Sequence, residues 1–155
     1  MGKVISKKIA VNGVLLTPLK IITVKGGNVL HGMKSTDPGY EGFGETYFSV
    51  VEPNAIKAWK RHHQMTLNLI VPIGAIRFVI YDGRQSSSSY QEFSEVTLST
   101  DYYFRLTVPP MIWMGFQGVS KTNSMLLNVA DIAHTSEEAD RQERNEIKYD
   151  WELGK

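Results

Sequence analysis

The sequence predicts an all-β fold, a sandwich or barrel of short strands. Short runs rich in β-branched and aromatic residues recur along the chain, turn formers separate them at near-regular intervals, and only one stretch has a helical composition. With 155 residues, 42% hydrophobic and 21% charged, the chain reads as one globular domain over 1–155 that can bury a core without staples.

In order, the strand signals fall at 14–24, 46–51, 67–71, 76–81, 93–98, 102–108 and 125–129. The segment from Asn12 to Val24 is expected to hold an early strand. The punctuation between them is Gly26-Gly27, Asp37-Pro38-Gly39, Pro53-Asn54, Asp82-Gly83, the serine run 86–89, Pro109-Pro110 and Gly115. The serine run reads as a mobile hairpin loop, with Asp82 and Arg84 as an ion pair at its base. The stretch 136–146, rich in Glu, Arg and Ala, predicts a short C-terminal helix with Thr135 or Ser136 as N-cap.

Composition removes several function classes. A formal charge of +1 gives no field that would steer the chain to nucleic acid or an anionic membrane, so any basic function is local. The absence of cysteine excludes disulfides, thiolate metal sites and a cysteine nucleophile. No apolar run approaches the about 18 residues of a membrane span, and no signal-peptide core is present, so the expected location is cytoplasmic. The opening Met1-Gly2-Lys3-Val4-Ile5-Ser6 fits the loose N-myristoylation pattern, with Lys7-Lys8 as a basic helper.

The densest chemistry is "IKAWKRHHQM" at 56–65. Taking 60–70 as one strand, Lys60, His62, Gln64, Thr66 and Asn68 share a polar face, and Leu67, Leu69 and Val71 share the other. The polar face either meets water or lines the mouth of a small barrel, where ligands bind. His62 and His63 are adjacent and point to opposite faces of a strand, His63 outward, and His31 and His134 are the only other histidines. A barrel metal site with two histidines at i and i+2 would need one at Lys60, whose protonated amine has no lone pair; no metal is expected. Nucleic acid would need a long basic groove, whereas Lys57, Lys60 and Arg61 suit the diphosphate of one nucleotide.

Three segments together resemble the dTDP-4-dehydrorhamnose 3,5-epimerase family over about half the chain. "FGETYFSVVEPNAIKAWK" (43–60) is similar to the region that ends in that family's Arg-Gly-Leu-His strand. "IRFVIYDGRQSSSSYQEF" (76–93) is similar to its Asp-x-Arg segment and serine-rich hairpin. "TVPPMIWMGFQG" (107–118) is similar to its Pro-x-Gly-x-x-His-Gly-Phe turn. The resemblance implies a cupin jelly roll, commonly dimeric, acting without metal or cofactor on a dTDP-linked 4-keto-6-deoxy sugar.

Carried over by residue, Glu45 takes the place of a substrate-contacting Gln and Lys57 that of the Arg that meets the diphosphate. Lys60 falls where the family has its catalytic His and Met114 where it has the His of the turn. His134 lies near its acid Tyr, and Asp150 near the Asp that orients the base. His62, whose reference pKa is about 6.5 against about 10.4 for lysine, is therefore the first choice of base, with Lys60 as electrostatic stabiliser and the reverse assignment as runner-up. His134 is the candidate acid, and Glu45, Lys57, Trp59, Gln64, Asn68 and Trp113 are the candidate substrate contacts. Trp59, Trp113 and Phe116 fit core packing as well as stacking.

The expected function is a nucleotide-sugar epimerase or isomerase in surface-polysaccharide biosynthesis, working by enolisation beside a ketone. Two alternatives stay open: a non-catalytic carbohydrate- or nucleotide-sugar-binding relative, and a metal-free enzyme on another small acid or sugar with Lys57 and Lys60 as carboxylate clamps. A homodimer is expected, because sheet edges and the Leu67, Leu69, Val71 face need covering.

Overall fold

A computed structural model describes residues 7–152. The acylation-like pattern at Met1–Ser6 lies outside them; Lys7–Lys8 form the first strand, β1. The others are β2 (Leu15–Pro18), β3 (Ile21–Ile22), β4 (Val29–Leu30), β5 (Glu45–Val51), β6 (Ile56–His62), β7 (Leu67–Ile73), β8 (Ala75–Tyr81), β9 (Phe93–Ser99), β10 (Phe104–Val108), β11 (Trp113–Gly118), β12 (Ser124–Ala130) and β13 (Ala139–Arg141).

These strands make a six-stranded antiparallel sheet, β1-β2-β10-β7-β12-β5, facing a five-stranded one, β13-β6-β11-β8-β9, with β3 and β4 as a separate ladder. From β5 to β8 the chain changes sheet at every connection, which is the jelly-roll path. One crossing is the tight corner at Gly74, where φ is +80° and an added Cβ would stand 2.2 Å from the Ser124 hydroxyl oxygen. Between the sheets lie Leu16, Val51, Met65, Leu69, Phe78, Ile80 and Leu106, each at most 2% exposed. Alternation explains their position: on β12, Leu126, Asn128 and Ala130 are buried while Met125, Leu127 and Val129 are half-buried on the other face.

Three expectations are corrected. The segment 14–24 is two short strands, β2 and β3, separated at Leu19 and Lys20. The segment 60–70 is not one strand, because 63–66 carries the chain from one sheet to the other and parity is lost there. The helix expected at 136–146 shrinks to one 3-10 turn, Ser136–Glu138, followed by β13. Pairing of Ala139, Asp140 and Arg141 with His62, Arg61 and Lys60 of β6 outweighs the helical composition.

The serine run is tied down rather than loose. The fully buried carboxylate of Asp82 accepts hydrogen bonds from Arg84 Nε (2.8 Å), Ser87 Oγ (2.6 Å) and Ser89 Oγ (2.6 Å). Burial alone would raise the Asp82 pKa, but these donors outweigh it and hold the carboxyl well below the usual range. On the outer face of the six-stranded sheet, fully buried Arg105 donates to the carbonyls of Gly32 (2.8 Å) and Pro38 (2.9 Å) and pairs with Asp37. This covers one part of that face. Among the described residues no helix is long and apolar enough to cross a membrane.

Candidate active site

A cavity of about 640 Å³ opens between the two sheets. One wall is β6 and β11, contributing Lys57, Lys60, His62, Met114 and Phe116. The facing wall comes from β5, β7 and β12, including Tyr47, Leu67, Leu69 and Asn128, and the segment 141–146 borders both. Lys57 and Lys60 are three positions apart, yet both reach the cavity. Their partners on β11 are Phe116 and Met114, two positions apart on one face, so a bulge in β6 absorbs the extra residue.

At the inner end of this wall His62, 6% exposed, is locked to Glu138, 8% exposed. His62 Nδ1 lies 2.5 Å from Glu138 Oε2. The other carboxylate oxygen accepts the backbone N–H of Gln64 (2.8 Å) and of Met65 (2.9 Å). Burial pushes the Glu138 pKa up, but those two N–H groups and His62 outweigh it and leave it at about 2. Burial also lowers the His62 pKa, against the pull of Glu138 and with help from the charges of Lys60 and His134. An ionised Glu138 and a neutral His62 follow at neutral pH. Nδ1 then carries the proton and donates it to Glu138, leaving the Nε2 lone pair free as a base.

The other charged side chains that line the cavity are Lys57, Lys60, Arg141, Glu143 and Glu146. Lys57 and Arg141 are exposed, while Lys60 is half-buried. Burial, then Arg141, lowers the Lys60 pKa, and Glu138 partly offsets this. Asn128 Nδ2 donates to the Tyr47 hydroxyl at 3.1 Å, fixing a phenol on the wall that faces His62. Chemically, this is one neutral base, one phenol, three cations and, on the 141–146 segment, two carboxylates around a space large enough for a small molecule.

No protein-family model matches the sequence. The chain is 38% identical to a dTDP sugar isomerase from Desulfovibrio desulfuricans, with a TM-score of 0.92 over 96% of this chain and 97% of that one. It belongs to the dTDP-4-dehydrorhamnose 3,5-epimerase-like family of sugar epimerases and isomerases. A probable low-salt glycan biosynthesis epimerase from Haloferax volcanii is 25% identical over 142 residues, covering 90% of this chain and 89% of that protein. The dTDP-4-dehydrorhamnose 3,5-epimerase of Elizabethkingia anophelis shares the fold at a TM-score of 0.81 and 13% identity, over 96% of this chain and 86% of that one.

Within this epimerase-like frame, the structure brings Lys57, Lys60 and His62 to one cavity wall and leaves several other sequence candidates elsewhere. Trp59 borders the cavity, but its ring packs against Tyr149 and Trp151 and its indole N–H donates to the Arg144 carbonyl. Trp113 packs in the same outer cluster, under the Arg61 guanidinium. Gln64 is exposed in the sheet crossing. Asn68 faces away from the cavity and bonds to Thr107 and to the Gly39 carbonyl, the result of the parity change at 63–66.

His134 is exposed, and its backbone N–H donates to the Glu45 carboxylate at 2.9 Å; neither residue is in the cavity lining. His63 points outward to Asp140, at 2.9 Å. The carboxylate on the candidate base is that of Glu138, not Asp150. Sequence reasoning missed Glu138, Arg141 and Tyr47. A His–carboxylate pair was foreseeable in kind, but its partner sits 76 residues away in a segment read as helix. Among the described residues no three His, Asp or Glu side chains gather in metal-ligating positions.

Proposed function

We propose that this protein epimerises or isomerises a dTDP-linked 4-keto-6-deoxy sugar by enolisation beside the ketone, in the cytoplasm, during surface-glycan biosynthesis. The observation that carries the reading is the buried His62–Glu138 pair, a neutral oriented base at the inner end of a cavity whose entrance holds cations. The isomerase of Desulfovibrio desulfuricans and the glycan epimerase of Haloferax volcanii support the substrate class and the pathway type.

In this mechanism Lys57, the exposed cation of β6, meets the diphosphate, and the sugar extends inward. His62 Nε2 removes the proton from the carbon next to the ketone. The C–H electron pair becomes a carbon–carbon double bond, and the carbonyl π pair moves onto oxygen. Glu138 stabilises the imidazolium that forms. Tyr47, on the opposite wall, returns a proton to the other face of the same carbon for epimerisation; for isomerisation the proton of the neighbouring hydroxyl passes to the enolate oxygen, that hydroxyl's oxygen becomes the new carbonyl, and His62 delivers its proton to the former carbonyl carbon. No net oxidation occurs. NMR of dTDP-4-keto-6-deoxyglucose incubated with the protein should show a second sugar isomer at equilibrium. An unchanged spectrum with that compound bound would sink the reading.

A homodimer is part of the proposal, on a different face from the one first expected. Leu67, Leu69 and Val71 are buried in the core. An uncovered apolar surface lies on the outer face of β5, β12 and the end of β7, with Phe48 62%, Val50 54% and Ile73 55% exposed beside the edge of the sheet.

A further inference from the structure

The β13–β6 ladder contains two successive charge pairs of opposite character. Asp140 stands across from Arg61, on the outward face, and the two form an ion pair at 2.5 Å. Arg141 stands across from Lys60, and both line the cavity. Among the described residues no carboxylate is within ion-pair distance of Lys60 or Arg141. Like charges directly opposite on neighbouring strands destabilise the ladder. One register step away, the same two strands complement their charges.

An anion between the two cations removes the conflict, and the position of the pair on β6 indicates which one. Exposure falls along the strand from Lys57 through Lys60 to His62. Lys60 is therefore one same-face position from the base and lies inward of the cation at the entrance. β13 also begins directly after Glu138, so one short segment orients the base and supplies the second cation.

Building on the enolisation reading, we propose that Lys60 and Arg141 form a single oxyanion clamp that holds the ketone oxygen of the sugar between ammonium and guanidinium. When His62 takes the proton from the neighbouring carbon, the C–H pair becomes the new double bond and the carbonyl π pair settles on that oxygen. Two cations already in position meet the charge, and both lose that partner when the carbon is reprotonated. Arg141 is thus a catalytic residue, contributed by the strand that replaces the expected helix.

The test uses the full chain with Arg141→Gln and Arg141→Lys, each checked for a native circular dichroism melt. The clamp predicts that Arg141→Gln lowers kcat for deuterium exchange beside the ketone about 100-fold, while KM and the Kd for dTDP alone stay within about threefold. Arg141→Lys should recover at least about tenfold of the loss, since it restores the charge. A rise in KM and in the dTDP Kd at unchanged kcat would assign Arg141 to the diphosphate and overturn the clamp, as would no effect. Should the wild type exchange nothing, enolisation itself fails. The clamp is then judged on sulfate titrated into dTDP-saturated protein and followed by the NMR signal of the Lys60 side chain. A saturable shift in the wild type that is absent in Arg141→Gln supports a paired anion site, and no shift in the wild type rejects it.

Discussion

His62 and Glu138, 76 positions apart, meet through a 2.5 Å contact between Nδ1 and Oε2 in which both side chains are buried. The contact sets the imidazole tautomer and, through the Gln64 and Met65 N–H groups on the same carboxylate, fixes the sheet crossing at 63–66. Chemistry and fold therefore share one carboxylate.

Glu138→Gln separates those two roles. The amide oxygen can still accept from Gln64 and Met65, whereas the amide NH₂ facing His62 Nδ1 favours the tautomer with the proton on Nε2. The variant should fold and lose about 10³- to 10⁴-fold in kcat, with nitrogen NMR of His62 showing the switched tautomer. Full activity in a folded variant would remove Glu138 from the mechanism.

The pH dependence follows from the same pair. The His62 pKa lies below the ordinary 6.5, so the base stays neutral down to a pH beneath that value, and the acid limb of kcat/KM should fall below pH 6.5. Stability has the same sign: the unfolded chain binds the His62 proton first, so stability declines as pH drops below 6.5. Glu138, with an ordinary value of 4.5 and about 2 in the fold, adds a second decline from about pH 4.5 toward 2. Urea midpoints measured from pH 8 to 2 should fall across both windows. The lower decline should shrink in Glu138→Gln, and an equal decline in that variant would contradict the assignment.

Much of the fold was legible because alternation is local. The runs 46–51, 76–81, 93–98 and 125–129 correspond to β5, β8, β9 and β12 to within one or two residues. Lys57, Lys60 and His62 are visible for the same reason, since they lie on one short strand. What the sequence hid is nonlocal. The crossing at 63–66 has no glycine or proline to announce it. The composition of 136–146 is helical by propensity, and only pairing with β6 makes 139–141 a strand. Glu138 and Arg141 enter the site through that pairing, and Tyr47 does so because β5 and β6 lie in facing sheets.

Close packing behind the site gives a stability prediction. A Cβ on Gly115 of β11 would stand 2.6 Å from Ala58 Cβ and 3.0 Å from the Trp151 ring. Gly115→Ala should therefore push β6 or the 142–152 tail outward, at a cost of about 1–3 kcal/mol, and lower Tm by roughly 2–4 °C for each kcal/mol. An unchanged melting curve would mean that the tail yields freely.

Association is tested on the outer face. Phe48 and Val50 project away from the cavity, opposite Leu127 and Met125 of β12. Phe48→Lys combined with Val50→Lys should convert a dimer into a monomer by light scattering at micromolar concentration while the fold is retained. A wild type that is already monomeric would contradict the proposed interface.

The central claim is that His62 takes a carbon-bound proton next to a ketone, and isotope exchange tests it most directly. The protein is incubated with dTDP-4-keto-6-deoxyglucose in deuterated water, and the recovered nucleotide sugar is weighed by mass spectrometry. The account predicts deuterium gained beside the ketone with the wild type, and a loss of at least about 100-fold in that rate with His62→Ala while the variant still binds dTDP. Saturable binding of the nucleotide sugar by the wild type with no deuterium gained, or exchange that persists unchanged in His62→Ala, would contradict it.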